Sequence, residues 1–402
     1  MVNNRTVKFT LTQNKMRKFS IIISFFLLFN YCFGIDFKIG VLRNVKMKSV
    51  LIKATNKPYK ILGGMKPLFE IKAKEELKIT VINNKVQLKF KDKLIGSYDT
   101  LKILKIKDDT AIFSVKGINP VIKQRSYYDE LIVFANKNQL TLVNQVDLEN
   151  YIIGVLESEV GLNRTKDFYK VHAVISRTYA LKNQYKFIHE GFQLTDLVNC
   201  QVYKGNLYQN KRIIDAVKET KNLILVDENM DYITAAYFSN SGGQTNNVED
   251  VWLKALPYLR SIYDPYSLGG YNYEWEKTIK KKSWLNYLVK NYQFPINDSV
   301  ALNGACNFKQ KIRHKYLIDW VYQIPLTEIR NDWKLKSTYF SIFDKGEYIV
   351  FKGKGFGHGV GLSQEGAMKM IDLGYDFLDV LRFYYTDVHL IDMRMRDFYI
   401  LD

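Results

Sequence analysis

The chain has 402 residues, 47% of them hydrophobic, enough to bury a sizeable core and to build two domains or one domain with insertions. Its 59 Lys and Arg against 41 Asp and Glu leave a formal charge of +18, which favours a polyanionic partner: nucleic acid, an anionic membrane or an acidic wall polymer. The lysines read as scattered, and no helix-turn-helix or zinc-finger spacing occurs, which argues against nucleic acid.

Residues 1–34 carry Arg5, Lys8, Lys15, Arg17 and Lys18 and no acid. The apolar run FSIIISFFLLFNYCF follows and then Gly34, a run short for a membrane span. This reads as a secretory signal cleaved near Gly34, with Met16 as a possible start. A retained N-terminal anchor is the alternative. Without these residues the charge is +13, and only Cys200 and Cys306 remain, as one disulfide or two buried thiols.

From residue 35 to about 143, short alternating segments such as FKIGVL, LKITVI and VQLKFK are broken by NNK, KDK and DDT turns, which predicts a β-rich region. The spacing then turns helical in LENYIIGVLESEVG (148–161) and DFYKVHAVISRTYALKNQ (167–184). A strand-like MDYITAAYFSNSGGQT follows, then an aromatic loop. About 277–336 is a basic, partly helical insertion. The hairpin STYFSIF-DKGE-YIVFKG delivers a glycine-rich loop and two short helices. The fold class expected is α+β, with the β-rich region leading into a mixed α/β core over 144–402.

In the first helix Leu148, Tyr151, Ile152, Val155 and Leu156 form one apolar stripe. At roughly 100° per residue, Glu159 falls within about 15° of its centre, while Glu157 points away and Glu149 sits at the edge. A carboxylate on the buried face near a helix C-terminus has its pKa raised by desolvation and by the dipole, as a general acid requires. A helix ending before Glu159 would instead leave a solvated glutamate. In the second helix Val171, Val174, Ile175 and Thr178 form the core stripe, His172, Ser176 and Tyr179 share a neighbouring face, and Arg177 borders the stripe.

The stretch GKGFGHGVGLSQEGA (353–367) places five glycines at alternate positions around His358. No Lys-Ser/Thr follows to make a phosphate loop. The other reading is a bare backbone lining a groove for an extended polymer.

LENYIIGVLESEV, AVISRTYALKN, CQVYKG, YFSNSGGQT with VW and PYL, and GKGFGHGVGLSQEGA with LRFYY stand in the order that resembles the sporulation stage II protein D and amidase-enhancer family (the SpoIID/LytB domain). The matches span about Asn144 to His389. The resemblance implies an extracytoplasmic protein acting on bacterial peptidoglycan, and in catalytic members a lytic transglycosylase that cuts glycan strands with a single glutamate; a restriction to strands stripped of stem peptides is one alternative for the substrate. By motif that glutamate is Glu159. By the same residue-by-residue resemblance, Ser176, Arg177, Tyr203, Ser241, Gly242, Gly243, Gln244, Gly357, His358, Gly359 and Gln364 are candidate groove residues. The alternative it implies is a non-catalytic wall-binding module that stimulates a cell-wall amidase.

The chain also departs from the pattern. Some members hold zinc in the segment matching His189 to Cys200, whereas here Thr195 and Asn199 stand at ligand positions, so neither a metal nor another cofactor is expected. His172 replaces a usual glutamine, and Val160-Gly161 follow Glu159 in place of methionine-proline. For cleavage, Glu157→Gln is expected to be close to neutral.

Overall fold

The computed structural model describes residues 35–106, 111–205, 208–252, 254–318 and 322–396. The run read as a secretory signal and the DDT turn lie outside the described residues. Phe37–Asp402 is one compact unit and carries the fold.

It begins with strands β1 (Asp36–Val41), β2 (Ser49–Ala54), β3 (Tyr59–Gly63), β4 (Lys66–Ile71), β5 (Glu76–Ile82), β6 (Lys85–Phe90), β7 (Lys93–Tyr98), β8 (Thr100–Lys105), β9 (Ile112–Asn119), β10 (Ile122–Tyr128), β11 (Glu130–Asn136) and β12 (Gln139–Asp147). Alternation decides their faces: in β5, Leu77, Ile79 and Val81 are buried while Glu76, Lys78 and Ile82 are exposed. The hairpin tips Asn83-Asn84 and Lys91-Asp92 have positive φ at both residues, the two-residue turn whose twist matches paired strands. With β13 (Leu194–Thr195), the strands form a seven-stranded sheet, β13-β1-β12-β11-β8-β3-β4, and a six-stranded one, β10-β9-β2-β5-β6-β7. The sheets face each other, with Tyr59 edge-on to Phe113 at 6.2 Å and Phe69 stacked on Phe90 at 5.0 Å.

The helical layer follows: α1 (Leu148–Glu159), α2 (Lys166–Lys182) and α3 (Lys211–Glu219). β12 runs straight through the boundary expected at 143/144, and β13 pairs in parallel with β1, so sandwich and helices share one core. β14 (Leu223–Val226) pairs with β20 (His389–Asp392), and β15 (Tyr237–Phe238) pairs in parallel with β19 (Leu362–Ser363), which leads into α7 (Gln364–Asp372) and α8 (Phe377–Tyr384). The long strand expected over 230–245 is therefore only two residues of regular strand. Gly242 and Gly243, at φ +69° and +99°, take the chain out of the extended region.

The insertion is a lobe with its own core, wider than expected. β16 (Glu274–Lys280), β17 (Phe340–Lys345) and β18 (Tyr348–Lys354) form a sheet in the order β16-β18-β17, packed by α4 (Lys281–Tyr292), α5 (Ser299–Cys306) and α6 (Leu326–Asp332) around Trp284, Phe340 and Phe351. Cys306 belongs to this core and Cys200 to the main one, and both are free, buried thiols. The chain is thus α+β throughout.

Positive charge is not scattered along it. Residues 35–143 hold 22 Lys and Arg against 10 Asp and Glu, whereas 144–402 hold 32 against 31. The β-rich region alone carries +12.

Candidate functional site

α1 starts where β12 ends. The Asp147 carboxylate caps it, accepting from the backbone N–H of Glu149 at 2.9 Å and of Asn150 at 3.4 Å. The helix stops at Glu159 because Gly161, at φ +82°, turns the chain away. The stripe from Leu148 to Leu156 is buried as its spacing requires, and Glu159 lies half-buried at its end.

Glu159 is held by a segment that the sandwich positions. Just after β13, Asp196 accepts from the N–H of Leu42 at 2.8 Å and from Arg125 Nη1 at 3.1 Å, which fixes the following residues across the end of α1. From this segment the Val202 N–H donates to Glu159 Oε1 at 2.6 Å, and the Tyr237 hydroxyl donates to the same carboxylate. Burial pushes the Glu159 pKa up; the Val202 N–H, the Tyr237 hydroxyl and the charge of Lys204 oppose it with smaller effects.

Glu159 opens into a cavity of about 410 Å³. Tyr179, Cys200, Tyr237, Trp252 and His358 line it, and Glu159 is its one carboxylate among the described residues. The His358 Nδ1 accepts from the Val360 N–H at 3.1 Å, so the proton sits on Nε2, which donates to the Tyr237 carbonyl at 3.0 Å. Burial pulls its pKa down to about 4, leaving the ring neutral. Both nitrogens are engaged, which leaves the ring carbons beside Trp252, with centroids 5.1 Å apart and planes at 46°, as what His358 can offer the cavity.

Of the candidate catalytic and groove residues named from sequence, the cavity lining holds Glu159 and His358 and none of the others. Arg177 is fully buried in the core, where Nη2 and Nε donate to Glu149 at 2.6 and 2.9 Å and Nη1 donates to the Leu223 carbonyl at 2.9 Å. Ser176 is buried beside it in α2. Tyr203 is buried against Tyr151 and Tyr127, with its hydroxyl donating to Asn144 Oδ1 at 2.8 Å. The Ser241 hydroxyl donates to Asp264 at 2.7 Å, and Gln244 accepts from the Arg313 N–H at 3.0 Å. Gly242 and Gly243 form the turn between them, and Gln364 opens α7 outside the cavity lining.

The glycine loop does not offer a row of free amides either. The N–H groups of Phe356 and Gly357 donate to the carbonyls of Asn240 and Lys336, and that of Leu362 to Ala236. The glycines permit this close chain-to-chain packing. A Cβ on Gly357, at φ +121°, would lie 2.6 Å from the Cβ of Phe238, and one on Gly361 would lie 2.3 Å from the Ala236 oxygen. Gly359 likewise has positive φ, and its carbonyl accepts from the Asn246 N–H at 2.6 Å.

Glu157 is a correction. The face opposite the stripe is not solvated, because the chain entering α3 covers it. Glu157 is 8% exposed and accepts from the N–H groups of Tyr208 and Asn210, each at 3.3 Å. Glu157→Gln replaces one acceptor with an amide donor, so stability should fall by about 1–3 kcal/mol, read from urea unfolding. An unchanged midpoint would mean that these two hydrogen bonds contribute nothing to stability.

The residues at the zinc positions do not fit the ion. Thr195 Oγ1 donates to Asn199 Oδ1 at 2.9 Å, His189 stands on an exposed turn, and Cys200 is hydrogen-bonded with Tyr179. Sequence reasoning does not single out Tyr179, Cys200, Tyr237 or Trp252 as site residues, although all four lie inside the quoted motifs.

Fold and site together define an α+β protein, a two-sheet sandwich joined to a helical layer, with a cavity walled by aromatic rings that holds one carboxylate among the described residues. The family described as "Stage II sporulation protein" matches residues 136–226. The chain is 30% identical over 294 residues to stage II sporulation protein D of Bacillus amyloliquefaciens, covering 69% of this chain and 83% of that protein. Against stage II sporulation protein D of Bacillus subtilis it is 30% identical over 280 residues, 64% of this chain and 78% of the other. An amidase enhancer of Bacillus subtilis is 25% identical over 293 residues, 59% of this chain and 40% of that protein. The chain belongs to the stage II sporulation protein D family.

Proposed function

We propose that this chain is a cell-wall protein of the lytic transglycosylase class. It cleaves peptidoglycan glycan strands outside the cytoplasm, with Glu159 as general acid and then base. The observation that carries this reading is Glu159 itself: a half-buried carboxyl with a raised pKa, alone in a cavity walled by Trp252 and His358. Hydrolysis of a glycosidic bond typically needs two carboxyl groups, spaced roughly 5–9.5 Å apart, one for the leaving oxygen and one for the nucleophile. A transglycosylase needs one, because the C6 hydroxyl of muramic acid attacks its own anomeric carbon. Intramolecular attack of this kind reaches effective molarities of order 10⁵–10⁸ M. Glu159 donates its proton to the glycosidic oxygen as the C1–O bond breaks. The resulting carboxylate takes the proton of the C6 hydroxyl as the new C1–O6 bond forms, which restores the acid.

The expected products therefore end in 1,6-anhydromuramic acid, detected by mass spectrometry of fragments released from purified strands, with and without stem peptides. Ordinary reducing ends would instead indicate a hydrolase. The likeness to an amidase enhancer supports a second reading, a wall-binding module that stimulates an amidase. That reading needs the cavity but not the proton of Glu159, and absence of any cleavage together with faster amidase turnover would establish it.

A further inference from the structure

We propose that the outer face of the six-stranded sheet is a docking surface for a linear polyanion without bases, of the poly(glycerol phosphate) kind. Strand register builds the surface. Lys116 on β9 pairs with Leu51 on β2, Leu51 with Lys78 on β5, Lys78 with Lys89 on β6, and Lys89 with Leu94 on β7. On β10 the bulge between Ile122 and Arg125 sets exposed Lys123 opposite Lys116. At about 4.8 Å per strand the row crosses the whole sheet, roughly 24 Å.

Like charges directly opposite each other destabilise a sheet, and Lys78 and Lys89 are such a pair. Glu75, Glu76 and Asp92 border the same surface depression, but among the described residues neither lysine has a carboxylate within 4 Å. The lysines of this region that find acids lie off the row: Lys85 with Asp99, Lys91 with Glu75 and Lys105 with Asp129. A line of phosphates would supply the missing charge along the same direction.

Two features choose the occupant. Single-stranded nucleic acids are held by stacking on aromatic rings, and the exposed large apolar residues of 35–143 are Ile35, Met65, Ile82, Leu94, Ile95 and Val121, none aromatic. A membrane would need apolar groups reaching past the ammonium groups. In this row they are Leu51, which is half-buried, and Leu94, both shorter than the lysines. The inference is independent of Glu159, because the row shares no residue with the cavity.

The test measures binding of the purified protein to lipid-free poly(glycerol phosphate), to a single-stranded oligonucleotide and to phosphatidylglycerol vesicles, over a range of salt. The polymer should bind tightest. Lys78→Gln with Lys89→Gln and Lys116→Gln should weaken it at least tenfold and lower the log–log salt slope by about two. The matching triple Lys→Arg variant should retain binding, and Lys282→Gln with Lys290→Gln and Lys309→Gln on the lobe should change nothing. Lys78→Gln alone should raise Tm, since it removes a repulsion. Equal binding by the first triple variant, tighter binding of the oligonucleotide, or binding to vesicles alone would overturn the proposal.

Discussion

Glu159→Gln is expected to lower glycan cleavage by about 10²–10⁴-fold while strand binding persists, because the amide keeps the shape of the side chain and cannot transfer a proton. The pH profile gives a sharper check. Burial raises the Glu159 pKa, and a general acid works only while protonated, so kcat/KM should fall as pH rises through that raised value. Tyr237 donates to the carboxylate and so favours its charged form. Tyr237→Phe therefore moves the falling limb to higher pH. A limb that stays in place, or moves down, would mean that the group titrating in the profile is not Glu159. His358 makes no competing claim on this limb, since its nitrogens are committed to backbone partners and its pKa lies near 4.

Much of the fold was legible in the sequence because local periodicity was strong. The alternation in β5 and β6, the double-asparagine turn between them and the stripe on α1 each reflect one dominant force, burial of one face. The faces that failed are those where two layers compete. Glu157 reads as solvated on an isolated helix, yet the loop entering α3 covers that side. Arg177 and Tyr203 stand in family motifs and were placed in the groove, whereas one is a buried ion-pair member and the other a core aromatic. The cavity is assembled from residues 159, 179, 200, 237, 252 and 358, and no local pattern reports that they converge. A signal for Tyr237 and Trp252 did exist. Both are large rings in motifs whose other large side chains, Phe238 and Val251, turn into the protein, and ring size alone does not tell a cavity wall from a core residue.

The glycine loop illustrates the same limit. Five alternate glycines do announce close approach, but not to what. The backbone of 236–246, with Tyr273 and Lys336, is the partner, and of the loop only His358 lines the cavity. Its neutral ring lies beside Trp252, tilted at 46° to it, a surface suited to the apolar face of a sugar more than to hydrogen-bonding it.

The second large effect concerns stability. Removing either member of the Arg177–Glu149 pair should cost about 3–5 kcal/mol, since breaking a buried pair leaves an uncompensated charge. The two losses should differ. Arg177 is fully enclosed and cannot reach water, whereas the Glu149 side chain keeps 16% of its surface exposed. Glu149→Ala strands a buried guanidinium and should be the more damaging; Arg177→Met leaves a carboxylate that can partly solvate and still accepts from the Asn222 N–H at 3.4 Å. In the double variant the loss should be smaller than the sum of the singles, because neither charge is then left alone. Urea unfolding of all four proteins measures this. Cleavage per folded molecule decides between core and groove. A role confined to the core predicts that Arg177→Met, assayed well below its melting temperature, keeps its activity within a few fold. If the variant melts like the unmutated protein yet loses cleavage a hundredfold, Arg177 acts on the substrate, and the bidentate pair with Glu149 must open when a strand binds.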